Sequence, residues 1–277
     1  MAGIYSKIVS TTRQIDSIHT FINGARTDIK TGWVFVNGVR KQVFPSAETY
    51  TQVYSKTTGG NYSTTLGYGR YKIVVSGGGG SGSSVAIRKT GSIQSRTQYG
   101  GSAGELKTIM IDVPYGQTWT FSGTVGTGGS GSHTYAGTSA HSQSAGAAGT
   151  GYANGTQGST RYFMVANYPG VDSSDAGWGA MAGGSGGGST SLFVNGVSNS
   201  VARGGNGGSA SLYNAGPMGY VGTQSVSGGT GGSGGISNGT GAAGGAASYG
   251  AGSNSGNTSG AGTNGYIRIY KSSIFPN

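Results

Sequence analysis

Apolar and polar residues alternate along several short stretches of the chain, and nowhere do they recur with the period of an amphipathic helix. The clearest stretch is "ELKTIMIDV" (105 to 113), with Leu106, Ile109 and Ile111 among its apolar positions. A period near two predicts a strand, because successive side chains leave opposite faces of the backbone. "RYKIVV" (70 to 75), "QTWTFSGTV" (117 to 125), "RYFMVANY" (161 to 168) and "GYIRIYK" (265 to 271) are predicted strands as well. The second of these follows the turn signal "PYG". Helix content is expected to be minimal.

Near the N-terminus, "IHTFINGARTDI" (18 to 29) is followed by "GWVFVNGVRKQV" (32 to 43). A shift of 14 residues superposes Phe21 on Phe35, Asn23-Gly24 on Asn37-Gly38, and Arg26 on Arg40. Asn-Gly between alternating apolar residues predicts a hairpin, since both turn residues must take positive φ. Two such units in tandem predict a small β module over residues 1–46, closed by Pro45. The same hairpin returns, without its charges, as "SLFVNGVSNSV" (191 to 201).

Between the strands lie glycine tracts, and the last has a period. Stepping by three from Gly229 to Gly265 gives 13 positions, nine of them glycine and the rest Asn, Ala or Ser. A helix of three residues per turn has no internal hydrogen bonds, so small residues every third place give a face where backbones can touch. Five prolines and an interrupted period argue against collagen, and a bundle of polyglycine II helices is the expectation. Such a bundle cannot stand alone. Ordering a backbone residue costs roughly 1–2 kcal/mol and a net hydrogen bond returns about 0.5–1.5 kcal/mol. The apolar strands must therefore hold the tracts in place. The predicted fold is all-β with polyglycine II helices: a hairpin module at 1–46 and a β-scaffolded glycine-rich sandwich at 47–277.

Composition alone would place a chain with 61 glycines in 277 residues among disordered proteins, but 17 Tyr, 7 Phe and 3 Trp supply material for a core. No cysteine is present, which removes disulfides and thiolate metal sites. The start "MAGIYSKIVS" has no apolar stretch of the signal-peptide kind, so synthesis in a cytoplasm without Sec export is expected. Of the net charge of +10, residues 1 to 107 carry +9. No charged side chain stands between Arg203 and Arg268. A basic end that meets an acidic partner and a neutral end that meets something polar follow from this, alongside the plainer reading that the bases keep the β-rich half soluble.

Motifs for catalysis carry little weight in such a composition. "GGSGG" at 183 to 187 and 231 to 235 satisfies the serine-hydrolase elbow pattern, yet neither copy lies between a strand and a helix. His19, His133 and His141 lack zinc-type spacing, and the last two fall in a polar loop, "SHTYAGTSAHSQS". Asp172 and Asp175 read as turn residues before they read as an acid pair or a calcium site. "ARGGNGG" (202 to 208) is a single RGG element without a phosphate track. No enzyme activity, cofactor or metal is expected. What remains is a polar-aromatic surface in which Tyr135, Tyr152, Tyr168, Trp178, Tyr213, Tyr220 and Tyr249 stand among Ser, Thr, Asn and Gly. Rigid aromatic area with adaptable small polar neighbours suits contact, though each ring is equally suited to a core.

"YKIVVSGGGGSG", "GGSAGELKTIMIDVPYGQTWTFSGTVGTGGSG", "GGSTSLFVNGVSNSVARGGNGG" and "GTNGYIRIYK" follow one another in an order that resembles the glycine-rich domain of tail-fibre and tail-tip proteins of tailed bacteriophages. The resemblance covers roughly residues 65 to 272, and the tandem hairpins are similar to the V-N-G repeats of phage tail proteins. It implies a virion protein without enzymatic activity. Its hairpin module, with Arg26, Lys30, Arg40 and Lys41, would dock on another tail or baseplate protein. Its loops, with the seven aromatics above, would meet a bacterial surface polysaccharide or outer-membrane protein. Neither nucleic acid nor membrane insertion is implied, and a homotrimer is compatible with the resemblance. The rival readings are a structural tail or decoration protein that binds no host, an ice-binding polyglycine protein, and a depolymerase resting on Asp172 and Asp175.

Overall fold

The computed structural model describes residues 48–87, 93–137, 140–165, 177–214, 222–251 and 255–273, and the backbone of four strands nearer the N-terminus. Those four are β1 (His19–Ile22), β2 (Ala25–Asp28), β3 (Gly32–Val36) and β4 (Val39–Phe44). β1 pairs with β2 and β3 with β4, both antiparallel, in the register of the predicted tandem hairpins. Their Asn-Gly turns lie outside the described residues.

Six further strands form one large sheet: β5 (Tyr50–Lys56), β6 (Gly60–Ser76), β9 (Leu106–Val125), β14 (Thr190–Val194), β15 (Val197–Ala202) and β20 (Tyr266–Ser272). Their order is β15-β14-β9-β6-β20-β5, with every pairing antiparallel. β6 and β9 are long and change register between Gly67 and Gly69, opposite the Pro114–Gly116 segment, where Gly116 takes φ +75°. The sheet bends there, and the inward side chains of its two arms share one core. Tyr71, Ile73, Val75, Ile111, Val113, Ile267 and Ile269 face Tyr62, Phe121, Val125 and Leu192. The rings of Tyr71 and Phe121 lie 6.0 Å apart across the bend. Burial of each such side chain contributes roughly 1.5–3 kcal/mol. β14 and β15 are the predicted third hairpin, its turn made by Asn195 at φ +50° and Gly196 at φ +78°.

Ten shorter strands build three small sheets at the other end. They are β7 (Ser84–Ile87), β8 (Ile93–Gln98), β10 (His133–Ala136), β11 (His141–Ser144), β12 (Thr160–Val165), β13 (Gly177–Ala182), β16 (Ala210–Asn214), β17 (Gly222–Val226), β18 (Ser248–Ala251) and β19 (Ser255–Thr258). The sheet orders are β12-β13-β7-β18, β17-β16-β8 and β11-β10-β19. Val85, Ile87, Phe163 and Met181 of the four-stranded sheet pack on Ala210, Leu212 and Val226 to make a second core. The alternate residues Ala86, Ala180 and Ala182 are also buried, on the side where β10 and β11 lie.

Six glycine tracts, 77–83, 99–105, 126–132, 183–189, 203–209 and 259–265, each join a strand of the large sheet to a strand of a small one. Residues 77–83 are all buried, and their amides donate in a repeating order. Gly77, Gly80 and Ser83 donate to the carbonyls of Glu105, Ser102 and Tyr99; Gly78 and Ser81 to Gly188 and Ser185; Gly79 and Gly82 to Thr263 and Gly260. Carbonyls of the same tract accept from Gly205 and Gly208, from Gly245 and Ser248, and from Gly129. Every third residue meets the same neighbour. The tract 183–189 repeats the arrangement, with Gly183 and Gly186 donating to Ser159 and Thr156, and Gly184 and Gly187 to Gly208 and Gly205. A Cβ at Gly77, Gly79, Gly80 or Gly82 would fall within 3.0 Å of the carbonyl of Arg203, Ala243, Asn206 or Ala246, so these positions admit glycine alone.

The fold is thus all-β, as predicted. The one helical element among the described residues is a single 3-10 turn at Gly232–Gly234.

Candidate functional site

The end of the bundle formed by the small sheets gathers the chain's turning points. β7, β10, β13, β16 and β19 each have one end on a glycine tract. The connections β7–β8, β10–β11, β12–β13, β16–β17 and β18–β19 therefore all leave from the far side. Most residues of these connections lie outside the described set, including Tyr168, Tyr220, Asp172 and Asp175.

The strands beneath them carry several of the predicted contact residues. On β10, His133 and Tyr135 alternate with the buried Thr134 and Ala136, so the outer face of that sheet shows one imidazole and one phenol ring. Tyr135 stands across from Ser142 and Gly256, and His133 Nδ1 lies 3.1 Å from Thr258 Oγ1. On β16, Tyr213 is 36% exposed, stands across from Thr223 and Ser95, and alternates with the buried Leu212. Each outer face thus sets a central tyrosine among small residues. Trp178 is in β13, across from Met164. Tyr249 of β18 is half-buried against the second core, with the Arg96 guanidinium 3.8 Å above its ring. It is a packing residue first.

Tyr152 is apart from this group. Its amide donates to the Ser189 carbonyl at 3.0 Å and its ring meets Phe193 of β14 at 5.8 Å, beside the large sheet. The composition around Tyr152 matches that of the far-end tyrosines, so sequence could not separate them. Of the predicted attachment residues, Arg26 lies in β2 across from Phe21, and Arg40 and Lys41 lie in β4 across from Phe35 and Val34. Lys30 is outside the described residues.

Two predicted features change character. His133 and His141 are in strands rather than a loop, at opposite ends of the β10–β11 hairpin, where pairing with Ser144 and Ala136 fixes them. The His141 ring instead stacks on Tyr162 of β12, centroids 4.4 Å apart, a contact that no local pattern marks. No group of three metal-ligating side chains occurs among the described residues.

The motifs set aside on composition have structural roles. Ser185, in the first "GGSGG", is fully buried; its amide donates to Ser81 Oγ at 2.7 Å and its hydroxyl to the Ala145 carbonyl at 2.6 Å. Ser233, in the second, has φ +60°, and its hydroxyl pairs with Ser189 Oγ at 3.1 Å. In "ARGGNGG", the Arg203 amide and Nε donate to Glu105 Oε2 at 2.9 and 3.2 Å, which pairs the half-exposed cation with a carboxylate of the same chain. Burial raises the Glu105 pKa, but the Arg203 hydrogen bonds and the Lys107 charge outweigh it and hold the carboxyl below its ordinary value.

No protein-family model matches the chain, and no curated protein matches it.

Proposed function

We propose that this chain is a bacteriophage tail-associated adhesin, a virion protein that recognises a bacterial surface polysaccharide or outer-membrane protein. One observation carries the reading: a core of glycine tracts spaces a single large sheet from a far end where the strand ends that bear the connections lie together. Such a core holds those connections on a rigid support while their sequences vary, the division of labour that a recognition surface needs. The far-end faces carry Tyr135 and Tyr213 among small polar residues, which suits contact by shape and many weak bonds, multiplied by several copies per particle.

The tracts are read as polyglycine II helices, since a partner that recurs every third residue fits a helix of three residues per turn. The hairpin module at 1–46, with Arg26, Lys30, Arg40 and Lys41, is read as the attachment to another tail or baseplate protein. Residues 47–277 are read as the receptor-facing domain, with no enzyme activity and no cofactor.

The test is binding of the fluorescently labelled full chain to intact cells of a bacterial panel. Saturable binding confined to a few strains is the expected result. Treating those cells with periodate or protease then separates a glycan receptor from a protein one. Absence of binding to every strain by a multimerised chain refutes the adhesin reading for that panel and favours a structural tail protein.

A further inference from the structure

At the end of the bundle opposite the strand connections, the arm of the large sheet made by β5, β20, β6 and the first half of β9 keeps one face in solvent. Tyr71, Ile73, Ile267 and Ile269 point into the core, and the residues between them point out. Solvent faces of antiparallel sheets ordinarily carry polar side chains. This one mixes charged side chains with exposed apolar ones. Met110 is 48% exposed and Leu106 37%, and the register sets Tyr270 beside Lys72 and Lys72 beside Met110.

The cations of this face are held against aromatic rings. Lys72 Nζ lies 4.2 Å from the Tyr50 ring centre and 5.2 Å from that of Tyr270, and the Arg268 guanidinium lies 4.4 Å above Tyr266. Its acids are already engaged. Asp112 accepts from Arg70 Nε and Nη2 at 2.9 and 3.0 Å, and Glu48 accepts from the Ser272 hydroxyl at 2.7 Å. Among the described residues, neither Lys72 nor Arg268 has a carboxylate at ion-pair distance.

We infer that this face docks an acidic protein surface with an apolar patch beside its carboxylates, on another component of the virion. The inference rests on the tail-protein reading and extends the attachment surface beyond the hairpin module. Charge decides the occupant. A second copy docked face to face would set Lys72 and Arg268 against their own like charges, and residues 108–277, with a net +1, bring no acidic surface. The strands that precede β5 carry Arg26, Arg40 and Lys41 against Asp28 alone, so they supply no match either. Nucleic acid needs a run of cations along a phosphate track, whereas here two cations on the inner strands β6 and β20 stand beside exposed Met110 and Leu106 on the bordering β9. An acidic protein surface with an apolar patch beside its carboxylates satisfies both parts: the apolar contact excludes water, and carboxylates complement the two cations.

Virions assembled without this chain are incubated with the purified full-length protein and sedimented, and the bound chain is quantified. Wild type and the far-end control Arg161→Glu are expected to bind alike. Met110→Glu and Lys72→Glu/Arg268→Glu are each expected to lose at least about tenfold in affinity. Wild-type binding should also weaken as salt rises. If the charge reversal unfolds the chain, Lys72→Gln/Arg268→Gln, which keeps the side-chain bulk, is measured in its place. Full binding by Met110→Glu and by the folded charge variant overturns the inference and leaves the tail reading standing. Failure of wild type to bind virions overturns the tail reading, and this partner with it. Wild-type binding to duplex DNA or to phosphatidylglycerol vesicles, lost in the same variants, assigns the face to phosphate and overturns the protein partner.

Discussion

Gly78 and Gly188 join the two central tracts: the Gly78 amide donates to the Gly188 carbonyl at 2.9 Å. One residue along, a Cβ at Gly187 would run into the Gly78 carbonyl. The hydrogen bond and the bare Cα are two aspects of one close backbone approach. That approach exists because the tracts arrive from strands held at both ends by apolar cores.

Gly187→Ala therefore forces two buried backbones apart and is expected to cost about 1–3 kcal/mol or more. Gly67→Ala, at a position with nothing within 4 Å of the added methyl, is expected to lie within about 0.5 kcal/mol of wild type. Urea unfolding of both variants checks the contrast.

Asn195 does two jobs in the β14–β15 turn. It takes φ +50°, and its Oδ1 accepts the Thr120 amide at 2.8 Å, tying the hairpin to β9. Asn195→Ala keeps neither and is expected to lower stability by roughly 1–2 kcal/mol, whereas Asn195→Asp keeps most of it. Thermal unfolding of the two variants tests this.

Glu105 gives the protein an acid-sensitive point. Its folded-state pKa is depressed, so its contribution is present above the unfolded carboxylate value and is lost as pH falls through the folded value. Asp112, held down by hydrogen bonds from Arg70, behaves in the same sense. Stability is expected to drop as pH falls below about 4.3, the ordinary glutamate value. Glu105→Gln should flatten that dependence and cost about 0.5–1.5 kcal/mol at pH 7, the worth of an ordinary net hydrogen bond, because Arg203 is half in solvent. Unfolding measured across the acid range checks both.

The two apolar cores share no residue. Ile269→Ala in the first and Leu212→Ala in the second are each expected to cost about 2–5 kcal/mol. Their effects should add to within about 0.5 kcal/mol if the whole domain unfolds as one unit. Separate unfolding transitions would show that the glycine bundle does not couple its two ends.

The hairpins and the strands of the large sheet other than β5 were legible because their signals are local; of the small-sheet strands only β12 was, and β9 runs on as one bulged strand through the "PYG" that signalled a turn. Alternation in "ELKTIMIDV" and the Asn-Gly turn in "SLFVNGVSNSV" each fix a strand or hairpin from neighbouring residues alone. The three-residue spacing read over 229–265 marks close backbone approach at Gly229, Gly232, Gly241, Gly244, Gly262 and Gly265, but a 3-10 turn and the strands β18 and β19 interrupt it. Which tract sits at the centre was not legible, because 77–83 and 203–209 have much the same composition. The order is set by where their flanking strands fall in the large sheet. The same limit explains the separation of Tyr152 from Tyr135 and Tyr213: rings of one type with similar polar neighbours in sequence go to opposite ends by topology. The His141–Tyr162 stack, between residues far apart in sequence, left no local mark.

The central claim, that recognition lies at the far end of the glycine bundle, is tested most directly by cell binding of a loop-replaced chain. Residues 166–176 and 215–221 are exchanged together for Gly-Ser segments of equal length, and the variant is compared with wild type on a strain that wild type binds. The account predicts that binding is lost while the unfolding midpoint stays within a few degrees. A variant that keeps its fold and still binds with wild-type affinity would contradict it.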